Sequence, residues 1–154
     1  MLFLLFKIAG DRYAIEASRV VEVVPLLDLK RLPHPVDGVA GLFNYRGQPV
    51  PAVDLRYITT GVPSAERLST RIIVVNHESP AGKLQPIGLI AEQATETLQC
   101  DSSDFAEYPS RPGAAAYLGP ILQHERGSVQ WVYEQRLLPE PVRQQLLRAV
   151  GTAV

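Results

Sequence analysis

About ten short apolar runs, separated by turns that contain glycine or proline, constrain the fold of this chain more than any other feature. The 154 residues include 13 Pro and 11 Gly, which punctuate the chain between these runs. Short apolar runs bounded in this way are typical of β-strands. The pattern therefore predicts an all-β protein of two small five-stranded barrels, with a short internal helix and a C-terminal helix.

The length of the chain is that of one compact domain. We predict a single domain over residues 1–154, divided into subdomains near residues 10–65 and 66–136. The best candidate linker is the segment 59–64, which contains Gly61 and Pro63.

Several strands are predicted from their patterns. Residues 71–76 form an apolar run that is typical of a strand buried on both faces, and residues 2–8 are predicted as a buried first strand. Residues 26–32, which follow a proline, are predicted as a further strand. Residues 84–90 and 94–98 are predicted as two separate strands.

Two helices complete the prediction. Asp54 is placed to cap a short helix at residues 55–58. A terminal helix is predicted over residues 139–150, because Pro141 suits its first turn and Gly151 is placed to end it. Its apolar face carries Val142, Leu146, Leu147 and Val150.

Charge and cysteine usage exclude several classes of protein. With 15 basic and 16 acidic residues, the net charge is −1, which is unlike a nucleic-acid binder or a binder of anionic membranes. The apolar run at residues 2–6 is far shorter than the roughly 20 residues of a membrane span. The single Cys100 cannot form an intrachain disulfide, and its neighbour Asp101 should raise the pKa of the thiol. We expect a soluble cytoplasmic protein.

The chain offers no pattern of residues for catalysis or metal binding. His34, His77 and His124 lie far apart, and none has another histidine or a cysteine three or four positions away. No phosphate-binding or dinucleotide-binding glycine motif is present. We therefore predict no catalytic residue, no metal and no cofactor.

The segment 32–56 is the most distinctive part of the sequence. Gly41 and Gly47 supply backbone conformations that other residues resist, and Asn44 tolerates the left-handed region. Arg46 should therefore lie on the tip of a hairpin and project outward, although a solvated surface arginine is the commoner fate of such a residue.

This segment resembles the signature of the CheW family of chemotaxis coupling proteins, roughly L-P…G-V-x-N-L-R-G-x-x-x-P-V-x-D-L-R. The matching residues are Leu32, Pro33, Gly41, Asn44, Arg46, Gly47, Pro51, Val53, Asp54, Leu55 and Arg56. Residues 13–15, 20–23, 71–75 and 88–92 resemble flanking segments of the family. Phe43 and Tyr45 replace its usual aliphatic residues.

The resemblance implies two SH3-like five-stranded barrels and a non-enzymatic role. Such a scaffold couples the cytoplasmic tip of a chemoreceptor, a methyl-accepting chemotaxis protein, to the regulatory domain of a CheA-type histidine kinase. Other CheW-like domains are further candidate partners, whereas nucleic acid and direct membrane insertion are not expected. The protein would lie in the cytoplasm, on membrane-bound receptor arrays.

The resemblance also implies which residues bind the receptor. Val20 and Glu22 match the family segment that touches the receptor, and Arg46 matches its exposed arginine. Glu22 and Arg46 could form an ion pair beside a groove that receives a helix face. The residues expected to flank this groove are Val39, Leu42, Phe43 and Tyr45. Kinase contact is expected at a barrel end in the second half, at residues that the sequence does not identify.

Other functions stay open at this point. Within the family, the alternative is an adaptor of a non-flagellar pathway, such as surface sensing. A small β-barrel that binds nucleic acid would need a basic groove and exposed aromatic residues, whereas only 7% of the residues are aromatic. An enzyme without a recognisable motif is the weakest alternative.

Overall fold

The computed structural model describes residues 1–78, 82–107, 115–138 and 142–146, which contain nine strands. The strands are β1 (Leu2–Ile8), β2 (Asp11–Glu16), β3 (Val20–Pro25), β4 (Val39–Tyr45), β5 (Gln48–Asp54), β6 (Arg71–Glu78), β7 (Leu84–Gln99), β8 (Leu118–His124) and β9 (Gly127–Val132). The helical elements are α1 (Leu55–Thr60), the 3₁₀ turns Ala17–Arg19, Ser102–Asp104 and Glu134–Arg136, and residues 142–146. The prediction of an all-β fold is confirmed.

The strands form two groups of five that share β7. The hairpin sheet has the order β3-β6-β7-β5-β4, and the terminal sheet has the order β7-β1-β2-β9-β8. The first half of β7 pairs with β6 and β5, and its second half pairs with β1. The prediction of two separate strands at residues 84–90 and 94–98 is therefore wrong. Gln93, whose φ is +49°, lies where β7 passes from one sheet to the other, so a local bend replaces the expected break.

The two sheets do not follow the order of the chain. β1 and β2 come first in the sequence, yet β2 pairs in parallel with β9 near the C-terminus. A second parallel pair joins residues 52–54 of β5 to residues 88–90 of β7.

In the described residues neither sheet closes into a continuous barrel, which corrects the expectation of closed barrels. A single bridge spans each gap, Lys30 to Leu42 in the hairpin sheet and Ala106 to Ile121 in the terminal sheet. Residues 26–32 form only the first of these bridges and not the expected strand. Because Pro33 lacks a backbone N–H, strand pairing cannot extend through it.

The core has three clusters, one inside each sheet and a central core between the two sheets. Along β6, Ile72 and Val74 face the interior of the hairpin sheet, whereas Ile73 and Val75 face the central core. Phe3 and Leu5 of β1 likewise face the interior of the terminal sheet, opposite Leu4 and Phe6 in the central core. The predictions of a buried first strand at residues 2–8 and of a strand buried on both faces at residues 71–76 are confirmed.

The C-terminal segment packs on the central core. Val142 is half-buried and Leu146 is buried there. Arg143 donates hydrogen bonds from Nε to His77 Nε2 at 3.1 Å and from Nη2 to the carbonyl of Glu78 at 2.8 Å. The rest of the helix predicted over residues 139–150, including Leu147 and Val150, lies outside the described residues.

Candidate functional site

The tip of the β4–β5 hairpin is a two-residue turn. Tyr45 pairs with Gln48, which leaves Arg46 and Gly47 in the turn with φ of +52° and +80°. Two positive values define a type I′ turn, the turn that best matches the twist of a hairpin. Asn44 accepts a hydrogen bond on Oδ1 from the Gly47 N–H at 2.9 Å. Asn44 thus braces the turn, and Arg46 adopts the left-handed conformation that the sequence suggested for Asn44.

Arg46 occupies a backbone position that suits asparagine, aspartate or glycine better. Left-handed backbone is uncommon in other residues, and where it occurs it is often associated with function. The Arg46 side chain is 73% exposed, in agreement with the prediction that it projects outward. This guanidinium therefore faces solvent and contributes little to the hydrophobic core.

Three side chains meet beside this turn and form what we call the tip cluster, Glu22, Tyr45 and Arg46. The Tyr45 hydroxyl donates a hydrogen bond to Glu22 Oε2 at 2.7 Å. Arg46 Nη2 lies 3.6 Å from the same oxygen, and its guanidinium carbon lies 5.1 Å from the centroid of the Tyr45 ring. The ion pair expected between Glu22 and Arg46 is therefore present, and the hydroxyl between them is an addition that the sequence did not predict.

The tip cluster affects the acidity of its phenol. The hydrogen bond to the Glu22 carboxylate raises the pKa of Tyr45, and desolvation raises it further. The positive charge of Arg46 acts in the opposite direction. Tyr45 therefore stays protonated, and keeps donating to Glu22, throughout the neutral range.

A β-bulge in β3 sets the direction of Glu22. Val20 pairs with Val75 and Glu22 pairs with Val74, so Val21 is an extra residue in the strand. Bulges of this kind re-aim the side chains beside them. Val20 is half-buried against the central core, whereas Val21 is exposed. The exposed aliphatic neighbour of Glu22 is thus Val21, which the sequence analysis did not select.

Among the remaining candidates, the ring of Phe43 packs against the ring of Tyr45 with centroids 6.2 Å apart, whereas Leu42 and Val39 are not brought to the tip cluster. Leu42 and Phe43 are only 4% and 1% exposed, so they cannot flank a groove as expected and instead support β4 from inside the core. Val39 lies at the opposite end of β4, roughly 20 Å along the strand from Tyr45. There it lines a cavity of about 480 Å³ together with Pro35, Val36, Tyr57 and Pro63.

The last residues of the segment 32–56, Asp54 and Arg56, bind to neighbouring parts of the fold. Asp54 is buried and caps α1, accepting on Oδ1 from the N–H groups of Arg56 and Tyr57 at 3.2 and 3.3 Å. Ser64 donates to both oxygens of Asp54, at 2.9 Å from its N–H and 2.7 Å from its hydroxyl. Arg56 pairs with Glu92 of β7 at 3.3 Å. The predicted cap is confirmed, and these residues are structural.

The described part of the chain contains no group of three or more His, Cys, Asp or Glu side chains that could hold a metal ion. Burial and the charge of Asp104 raise the pKa of the Cys100 thiol, in line with the expectation for its acidic surroundings. Such a thiol is a poor nucleophile at neutral pH. In the described ranges, no helix is long and apolar enough to cross a bilayer.

Known proteins resemble this chain over most of its length. The family model for the CheW-like domain matches residues 2–140. A chemotaxis protein CheW from Helicobacter pylori is 28% identical over 107 residues, which cover 70% of this chain and 62% of that protein. The crystal structure of the scaffolding protein TtCheW from Thermoanaerobacter tengcongensis superposes with a TM-score of 0.77 at 22% identity, over 90% of this chain and 87% of that one.

Proposed function

This chain belongs to the family of CheW-like domains, and from that premise we propose that it couples the cytoplasmic tip of a chemoreceptor to a CheA-type histidine kinase. Members of the family are non-enzymatic scaffold proteins, and so is this one. The observation that carries the proposal is the tip cluster, where Arg46 is held outward beside Glu22 and Tyr45.

The surface around the tip cluster suits a helical partner. Val21, the neighbour of Glu22 in β3, is exposed and provides apolar contact area, and Arg46 provides a positive charge. A helix that carries apolar residues next to an acidic one would complement both features. The charge would steer and orient the partner more than it adds affinity, as is common for exposed charges at interfaces.

The kinase contact, the neighbouring proteins and the cellular location are also part of the proposed function, and they do not involve the tip cluster. The kinase would contact a barrel end formed by the second half of the chain, and other CheW-like domains would be neighbours in the array. The protein would lie in the cytoplasm on membrane-bound receptors. An adaptor of a non-flagellar pathway, such as surface sensing, would use the same surfaces.

Binding of single-stranded nucleic acid is disfavoured by the placement of the aromatic rings. Such proteins stack bases on exposed aromatic side chains. Here Phe3, Phe105 and Trp131 are buried together inside the terminal sheet, with ring centroids about 5 Å apart, and Phe43 is buried in the hairpin sheet.

The test is charge reversal at Arg46. We expect Arg46→Glu to keep a near-wild-type melting temperature, because an exposed ion pair contributes only ~0–1 kcal/mol to stability. It should lose binding to a receptor-tip fragment in a pull-down, and receptor-dependent control of kinase autophosphorylation.

Arg126→Glu is the matched control. Arg126 is also exposed, on the tip of the β8–β9 hairpin, and pairs with Glu96 at 3.5 Å. Its reversal should leave receptor binding unchanged. Unfolding of Arg46→Glu would show that Arg46 is a structural residue, and wild-type receptor binding by Arg46→Glu would place the receptor surface elsewhere.

A further inference from the structure

Tyr45 and Arg46 approach the same oxygen of Glu22 at different distances. The hydroxyl is 2.7 Å from Glu22 Oε2, which is a good hydrogen-bond length, whereas Arg46 Nη2 is 3.6 Å away and beyond that range. The phenol is therefore the closer partner of the carboxylate, and the guanidinium is held nearby without a direct hydrogen bond.

The ring of Tyr45 also supports the guanidinium. Arg46 lies 5.1 Å from the ring centroid, within the range of a cation–π contact. The described residues show two contacts for the Arg46 side chain, this ring and the Glu22 carboxylate, and the side chain is 73% exposed. Most of its five N–H donors consequently face solvent.

Without the hydroxyl, Glu22 would be free to close on Arg46. A carboxylate and a guanidinium readily form two parallel hydrogen bonds, which would occupy the donors that now face outward. The Tyr45 hydroxyl prevents this arrangement because it engages Glu22 first. The ring keeps Arg46 extended at the same time.

We propose that Tyr45 is a positioning residue that holds Glu22 away from Arg46, so that the Arg46 guanidinium can bind a carboxylate on the partner. This inference rests on the proposed function, because it takes the partner to be a helical receptor tip that carries an aspartate or glutamate. Tyr45 acts through Glu22 and Arg46 in this scheme and need not touch the partner itself.

The deciding variant is Tyr45→Phe, which removes the hydroxyl and keeps the ring. We expect roughly threefold to tenfold weaker binding of a receptor-tip fragment by calorimetry, the size expected for losing one ordinary hydrogen bond. The melting temperature should not change. Tyr57→Phe is the matched control, because Tyr57 is an exposed tyrosine on α1, and it should bind like the wild type.

A double-mutant cycle separates positioning from direct contact. In a Glu22→Gln background the carboxylate is absent, so Tyr45→Phe should cause little further loss of binding. Alkaline titration of tyrosinate absorbance gives a second readout. In the wild-type background and in the Glu22→Gln background, subtracting the curve of the Tyr45→Phe variant leaves the titration of Tyr45 alone. Glu22→Gln should lower the pKa of Tyr45, because the hydrogen bond to the carboxylate is the main cause of its elevation.

The outcomes distinguish the two proposals. If Arg46→Glu abolishes binding while Tyr45→Phe binds like the wild type, the positioning role is wrong and the proposed function stands. An equal loss from Tyr45→Phe in both backgrounds would mean direct contact and would also overturn the positioning role. Wild-type binding by Arg46→Glu would overturn both proposals, since each needs Arg46 at the receptor surface.

Discussion

Arg46 combines an unfavourable backbone conformation with an exposed side chain. The first position of a type I′ turn favours asparagine, so Arg46→Asn should leave the free energy of unfolding unchanged or raise it by up to ~1 kcal/mol. The same variant should lose receptor binding, because the guanidinium is gone. Chemical denaturation and a receptor pull-down measure the two effects separately.

Arg126→Asn serves as the control for this substitution. Arg126 also lies in a two-residue hairpin turn, between His124 and Gly127, but its φ is not positive. Asparagine should therefore bring no gain in stability there. If Arg46→Asn lowers the free energy of unfolding more than Arg126→Asn does, the idea that the Arg46 backbone is unfavourable and only its side chain is useful is wrong.

Strand β7 contains Gly88 at a point where neighbouring side chains leave no room for a Cβ. A Cβ on Gly88 would lie 2.5 Å from Phe43 Cε1 and 2.7 Å from Ile72 Cγ2, so the ring of Phe43 occupies the space that a side chain would need. Gly88→Ala should destabilise the protein by ~1–3 kcal/mol, the usual cost of overpacking a core. Urea denaturation monitored by circular dichroism measures this loss.

A second substitution tests the stated cause. Phe43→Leu replaces the ring with a smaller aliphatic side chain and should be destabilising by itself, because it leaves a cavity. Combined with Gly88→Ala, it should cost less than the two single changes added together, since the alanine methyl enters the vacated space. Additive losses would show that Phe43 is not the obstacle.

The two sheets and the C-terminal segment are joined through the central core. Leu146 contributes to that core from residues 142–146, together with side chains of β1, β6 and β7. Leu146→Ala should reduce the free energy of unfolding by ~2–5 kcal/mol, with a single unfolding transition for both sheets. The exposed neighbour Gln145→Ala should change it by no more than ~0.5 kcal/mol. A melting curve of Leu146→Ala that matches the wild type would contradict this docking.

Much of the fold could be predicted from patterns within a few residues. The continuous run at residues 71–76 indicated a strand buried on both faces, because no polar residue interrupts its apolar centre. Arg46 followed by Gly47 indicated the hairpin tip, and Asp54 before Leu55 indicated a helix cap. The inferences about the hairpin tip and the helix cap held because the contacts that satisfy these residues come from neighbours in the sequence.

The features that the sequence did not reveal depend on contacts between distant segments. Glu22 and Tyr45 are 23 positions apart, and their hydrogen bond exists because a bulge at Val21 turns Glu22 toward the hairpin tip. Leu42 looks like a surface candidate beside Asn44, yet the bridge from Lys30 and the central core enclose it. The apolar pattern limits the register that a strand can take, because a slip of one residue moves every side chain to the other face. The choice of neighbouring strand arises instead from packing across the whole chain.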